Sequence, residues 1–303
     1  MFDVDLAPYV EKTYERQLSR LQSLPVDWEE TQLETLAEEE TISATYQACE
    51  AFIHNANSMH SRGGGQVPFV SINYGTDTSK WGRILIRELL RATERGLGNG
   101  ETPIFPIQIF KVKEGINFRE DDPNVDLFRE ACRVTGKRLF PNFSFIDAPF
   151  NAAYYDGTHA SEVAYMGCRT RVMGNRHGEE TSIGRGNLSF STLNLVKMAL
   201  ISESISDFYR ILNRYVDIGI EQLIERFEYQ CTRRAEEFRF LYTQGVWRGS
   251  EQLHIHDEVR DVLKQGTLSL GFIGLAETLK VLTGSTHAES REAERLGLDI
   301  VTH

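Results

Sequence analysis

The sequence predicts an α/β fold with a largely parallel sheet, on three observations. Apolar residues recur at helical spacing in several long stretches. Short apolar, β-branched runs lie between them. The two kinds of segment alternate along the chain, which favours crossover connections and parallel strand neighbours.

The elements follow in order. Residues 5–24 carry Leu6, Tyr9, Val10, Thr13, Tyr14, Leu18 and Leu21 at three- and four-residue steps, an amphipathic helix. A second helix is predicted over 28–56, with Leu33, Leu36, Ile42, Tyr46, Cys49, Phe52 and Ile53 inward. Gly63, Gly64 and Gly65 then lead into "QVPFVSINYG", a strand-type run. Residues 79–96 read as helix and stop at "GLGNG". The stretch "TPIFPIQIFKVKEG" at 102–115 is the clearest strand. A helix starts after Pro123, and "RLFPNFSFI" reads as extended. A loop around Cys168 follows, and "GNLSFSTLNL" resumes strand character. Residues 203–242 form the longest helical stretch, and "GTLSLGFIGLAETLKVL" reads as strand, turn and helix. No repeat or Pro- or Ser-rich linker divides the chain, so residues 1–303 are taken as a single domain. The strand count is low for a closed barrel, so that domain is expected to be incomplete.

Composition narrows the function. The chain is 41% hydrophobic and 25% charged, ordinary for a soluble globular protein. A net charge of −11 argues against a general nucleic-acid surface, which needs clustered Lys and Arg. No run suggests a membrane span, and "MFDVDLAPYVEK" lacks a signal-peptide pattern. Cys49, Cys132, Cys168 and Cys231 form no CxxC pair, so no metal site is expected, and a reducing, cytoplasmic setting fits.

Several residues can carry chemistry. Cys168 sits between Gly167 and Arg169, with Arg171 and Gly174 close by. It is either a small packed hydrophobe or the reactive group of a loop. Cys49, Cys132 and Cys231 fall on apolar helical stripes and read as core. The glycine run after Arg62 lets a backbone approach a ligand or simply turns into a strand; it lacks the ending of a Walker loop. Asn73, Asn187 and Asn194 lie beside strand-type residues, as partners for a substrate hydroxyl or as turn and sheet-end residues. His254 and His256 share a face if "LHIHDE" is a strand; a solvated loop or helix start suits them better.

Six blocks bring these signals together: "NSMHSRGGGQVPFVSINYGTDTS", "TPIFPIQIFKVKEGIN", "RLFPNFSFIDAPFN", "AYMGCRTRVMGN", "GRGNLSFSTLNL" and "GTLSLGFIGLAETLK". In this order, from about residue 54 to 282, they resemble the catalytic subunit of the anaerobic (class III) ribonucleoside-triphosphate reductases. The resemblance implies part of a ten-stranded α/β barrel of the glycyl radical enzyme type, with a central cysteine finger loop. Cys168 matches the cysteine at its tip, the site of a thiyl radical that takes the ribose 3′ hydrogen. Asn187 matches an asparagine near the ribose. His60 and Arg62 lie in a block that looks active-site-facing, and the helix start after Gly271 and Gly274 is a phosphate seat by its backbone N–H groups.

The resemblance also sets expectations about what lies elsewhere. No glycyl-radical motif, four-cysteine zinc site or ATP-cone is found in the sequence, so the chain is expected to be a middle section of a subunit and to hold no cofactor itself. The glycyl radical and zinc are expected on a missing C-terminal part, with formate or a dithiol as reductant. Implied partners are ribonucleoside triphosphates, a second copy or a complementing reductase chain, and a radical-SAM activating enzyme. The alternative is a non-catalytic fragment that binds a nucleotide or a partner.

Overall fold

The computed structural model describes residues 1–60, 65–167, 170–172, 177–178 and 180–303. The chain packs as two compact units. One spans Met1–Gly174 with Glu179–Ile183, the other Gly184–His303 with Asn175–Gly178.

The first unit begins with two long helices, α1 (Phe2–Gln22) and α2 (Glu30–Ser58). There follow β1 (Ser71–Tyr74), α3 (Lys80–Arg95), β2 (Ile107–Val112), α4 (Val125–Arg138) and β3 (Asn142–Phe145). The three strands make one parallel sheet in the order β1-β2-β3. Each helix crosses back over the sheet between strands, as the alternation predicts. Ser79 accepts a hydrogen bond from the Gly82 N–H at the start of α3, and Gly96 ends that helix at φ 82°. The second is the glycine stop read from "GLGNG".

The two faces of this sheet differ. Ile72, Tyr74, Phe110 and Val112 pack into the main core with Ile84, Leu89 and Leu90 of α3 and Leu127, Ala131 and Val134 of α4. Gln108 points the same way and links the Tyr74 hydroxyl to Thr93 of α3. Successive strand residues alternate faces, and directly paired residues share one. Ser71 and Asn73 of β1, Ile107, Ile109 and Lys111 of β2, and Asn142 and Ser144 of β3 therefore share the opposite face. That face holds the mixed polar set.

A short helix, α5 (Pro149–Ala152), precedes the hairpin of β4 (Ala164–Met166) and β5 (Thr170–Val172). In the second unit, β6 (Asn187–Asn194) runs directly into α6 (Leu195–Ile201), followed by the long α7 (Ile205–Cys231). Two short helices, α8 (Arg239–Thr243) and α9 (Arg260–Leu263), lead to β7 (Thr267–Ile273), α10 (Leu275–Thr283) and α11 (Arg291–Thr302). β6 and β7 pair in parallel. The core here joins Leu195, Met198, Phe208, Leu212, Leu279 and Ile300.

Two sequence expectations are corrected. The helical stretch over 203–242 breaks after Cys231. Backbone groups of 233–236 bond to 255–259 instead, with Ala235 N–H on the Asp257 carbonyl (3.0 Å), Glu236 N–H on Ile255 (2.8 Å) and Val259 N–H on Arg233 (3.0 Å). These long-range bonds satisfy groups that a continued helix would have used. Cys132 is exposed rather than core. The buried positions of α4 are Leu127, Ala131 and Val134, and Cys132 lies one residue off that stripe. Cys49 and Cys231 are buried, as expected.

Candidate active site

Cys168 and Arg62 lie outside the described residues. The strands on either side of Cys168 are nonetheless an antiparallel pair, with Ala164 opposite Val172 and Met166 opposite Thr170. Gly167, which enters the connection, has φ 53°, a conformation glycine adopts without a Cβ penalty.

This hairpin is seated on the polar face of the sheet. The Asn73 Nδ2 donates to the Tyr165 carbonyl (2.7 Å), and the Tyr165 N–H donates back to Asn73 Oδ1 (2.9 Å). Two residues earlier on β1, Ser71 Oγ accepts from the Gly167 N–H (3.0 Å). Tyr165 also packs against the Ile107 and Ile109 cluster of β2. Arg171 of β5 reaches Asn151 Oδ1 (3.3 Å) and lies over the Phe150 ring.

The stem before the hairpin is held by charge. Lys111 and Lys113 both reach Glu162, at 2.9 Å and 3.1 Å. The side chains of Lys111 and Glu162 are 1% and 0% exposed. Burial opposes ionisation of Glu162, yet the two ammonium groups hold its carboxyl below the usual range. Burial lowers Lys111, with Glu162 opposing that shift. Ser182 Oγ donates to the Glu162 carbonyl (2.9 Å), tying the outgoing chain to the incoming one.

The loop after β1 is equally built. Asp3 of α1 is fully buried, and its Oδ2 accepts from the N–H groups of Gly75, Thr76 and Asp77 at 2.8–3.0 Å. Burial raises the Asp3 pKa, with those backbone donors opposing. Asn117 Nδ2 bridges the Gly75 and Lys111 carbonyls (2.9 and 2.8 Å), and Asn124 Nδ2 holds the Asp77 carbonyl (2.9 Å). A cavity of about 470 Å³ opens beside Ser71, Asn73, Lys111, His159 and Ala164.

The other expected residues fall as follows. His60 is exposed, just past the end of α2. Asn187 opens β6 opposite Thr267 and is exposed. Asn194 caps α6, its Oδ1 accepting from the Lys197 N–H (3.0 Å). Gly271 is a mid-strand residue of β7 opposite Thr192. Gly274 starts α10 at φ 80°, and a Cβ there would clash with Val196 Cγ2. Asn194 and Gly274 thus share one end of the β6–β7 pair. Asn187 lies at the other end, roughly 23 Å away along the strand at about 3.3 Å per residue. His254 and His256 lie in a turn, not on a strand, and His256 Nδ1 is 3.3 Å from Glu236 Oε2.

Sequence reading missed Asp3, Lys111, Asn117, Asn124 and Glu162. One signal was available: Lys111 and Lys113 interrupt an apolar strand run at alternate positions. Charges on one face of a buried strand need a partner.

Comparison with known proteins identifies the family. The family described as anaerobic ribonucleoside-triphosphate reductase matches residues 1–303. The chain is 32% identical over 306 residues to the anaerobic ribonucleoside-triphosphate reductase of Haemophilus influenzae, covering 99% of this chain and 41% of that protein. It is 30% identical to the enzyme of that name from Escherichia coli, again over 41% of its length. It is 32% identical over 292 residues to the one from Enterobacteria phage T4, covering 46% of it. The chain therefore spans less than half the length of each of these relatives.

Proposed function

The chain belongs to the anaerobic ribonucleoside-triphosphate reductase family, and from that premise we propose that it forms the thiol-bearing section of such a reductase. In this reading the substrate is a ribonucleoside triphosphate, the substrate class named in the relatives. Cys168 would pass its S–H hydrogen atom to the radical group that the family resemblance implies outside this chain, and the resulting thiyl would remove the 3′ hydrogen of the ribose. The 2′ hydroxyl leaves as water, and formate or a dithiol supplies the electrons that complete the deoxynucleotide. Asn187 is assigned to a ribose hydroxyl, where a neutral donor and acceptor steadies charge as water departs.

One observation carries the reading. The strands flanking Cys168 lie on the sheet face turned away from α3 and α4, pinned there by Asn73 and Ser71. A radical site needs enclosure, because water and stray reductants would quench it. In the proposed ten-stranded barrel that face looks inward. The three-stranded parallel sheet would supply three of its strands.

The glycyl radical and zinc implied by family resemblance are assigned to no residue of this chain. A second copy or a complementing reductase chain, and a radical-SAM activating enzyme, are the proposed partners.

The test is turnover of ribonucleoside triphosphates under anoxic conditions by the chain assembled with the proposed complementing reductase chain, with activating enzyme and reductant. Cys168→Ser is expected to abolish deoxynucleotide formation without changing the melting temperature, since the alcohol O–H bond is too strong to stand in for the thiol. Turnover by that variant would remove Cys168 from the mechanism.

A further inference from the structure

We infer that Glu162 is a positioning residue for the β4–β5 hairpin, acting through Lys111 and Lys113. Its effect on turnover rests on the functional reading above; its effect on the hairpin does not.

The geometry is specific. Lys111 and Lys113 stand two residues apart, on the side of the β2 line that also carries Ile107 and Ile109. Each takes a different oxygen of Glu162, Oε2 at 2.9 Å and Oε1 at 3.1 Å. Lys113 also donates to the Tyr155 hydroxyl (2.8 Å) and lies 4.0 Å from the centre of its ring. The carboxylate is thereby fixed in one orientation. Behind it, Ser182 holds the Glu162 carbonyl, and Ala160 accepts from the Ser182 N–H (2.9 Å) and Thr181 Oγ1 (3.0 Å). Glu162 is three residues from Tyr165, which Asn73 clamps. The hairpin is thus gripped from two adjacent strands, by neutral hydrogen bonds from β1 and by charge from β2.

A stabilising role alone is a poor explanation of these charges. Desolvating a buried ion pair costs about what its attraction returns, and an apolar pair of similar size is often as stable. What the ions add is direction, because each oxygen has one donor at one position. Apolar contacts would tolerate a sliding stem, and a sliding stem displaces the residues that follow.

Two variants of the intact protein separate these roles. Glu162→Gln keeps the shape and removes the charge. Lys111→Met with Glu162→Met replaces the ion pair by apolar groups. The readouts are melting temperature, amide hydrogen exchange over residues 163–172, and kcat and KM for nucleotide reduction. In Glu162→Gln, exchange at Tyr165 and Gly167 is expected to rise at least tenfold and kcat to fall at least tenfold, with KM within twofold. The double variant is expected to regain the melting temperature but neither the protection nor kcat. Lys113→Gln, at a partly exposed site, supplies an intermediate effect if Glu162→Gln does not fold.

Wild-type exchange at Tyr165 and Gly167 in any folded variant would overturn the inference. So would full recovery of protection and kcat in the apolar double variant. If exchange responds as expected but the wild type, assembled with the complementing reductase chain and the activating enzyme, makes no deoxynucleotide, the positioning role stands and the reductase reading fails.

Discussion

Asn73 holds both backbone polar groups of Tyr165. Its Nδ2 donates to the carbonyl at 2.7 Å, and its Oδ1 accepts from the N–H at 2.9 Å. The side chain thus does what a neighbouring strand would do, and it docks β4 on β1 through residues 92 positions apart in sequence. An amide suits this task because it carries a donor and an acceptor in one plane.

Asn73→Ala should remove this clamp and leave two backbone groups without protein partners. The expected cost is about 1–3 kcal/mol of stability, read by denaturant unfolding. Exchange of the Tyr165 amide should rise in the absence of nucleotide. A residue that served only the substrate would leave ligand-free exchange unchanged and raise KM instead.

Asn194→Ala should cost about 0.5–2 kcal/mol through loss of the α6 cap, and Asn194→Ser or Asn194→Asp should restore most of it. All three variants should bind nucleotide alike, measured by calorimetry. A loss of nucleotide affinity in the well-capped Asn194→Ser variant would show that Asn194 contacts nucleotide as well as capping α6.

The described cysteines should label in a definite order. Cys132 is exposed and should react with iodoacetamide in the native protein. Cys49 is buried and its thiol is pushed up to about 12, by burial first and the nearby Glu88 charge second. It should stay unlabelled at pH 8, where the thiolate is scarce. Mass spectrometry of digested protein reads both. Cys132→Ala should leave stability within about 0.5 kcal/mol, as for a surface change.

Glu162 should make stability fall in acid. Burial disfavours its charge, but Lys111 and Lys113 outweigh that and lower its folded pKa from an ordinary 4.5. The unfolded chain therefore takes up the proton first. The contribution is complete above about pH 4.5 and disappears as pH drops through the folded value. Urea midpoints from pH 7 down to pH 3 should decline more steeply in the wild type than in Glu162→Gln. Parallel profiles would show that Glu162 does not carry this dependence.

Much of the fold was legible because its signals are local. The apolar spacing over 5–24 and 79–96 and the run "IQIFKV" each declare a buried face without reference to the rest of the chain. Gly96 and Gly274, with φ near 80°, mark a helix end and a helix start for the same local reason. The helix end at Cys231 was not legible, because it depends on bonds between 233–236 and 255–259. Cys132 was misread because one residue of helical phase, about 100°, separates the buried stripe from water.

The site divides in the same way. Cys168 and the blocks around it stand out in the sequence, and the family follows from them and from the match over residues 1–303. Asn73 stands out too, but sequence cannot distinguish a substrate ligand from a backbone clamp. Its partner, Tyr165, is reached only when β4 folds onto β1. Glu162 and Lys111, 51 residues apart, carry no mark of each other until β2 and the hairpin stem are brought together.

The sequence by itself determined the alternation of helix and strand, the helix ends set by glycine and capping residues, and the family. Those depend on backbone stereochemistry and on which side chains leave water, both readable within a few turns of chain. Only the tertiary structure decided which polar residues are clamps, which are caps and which charges are paired. Each of those roles is a contact between distant residues, and its free energy exists only after the intervening chain has been ordered.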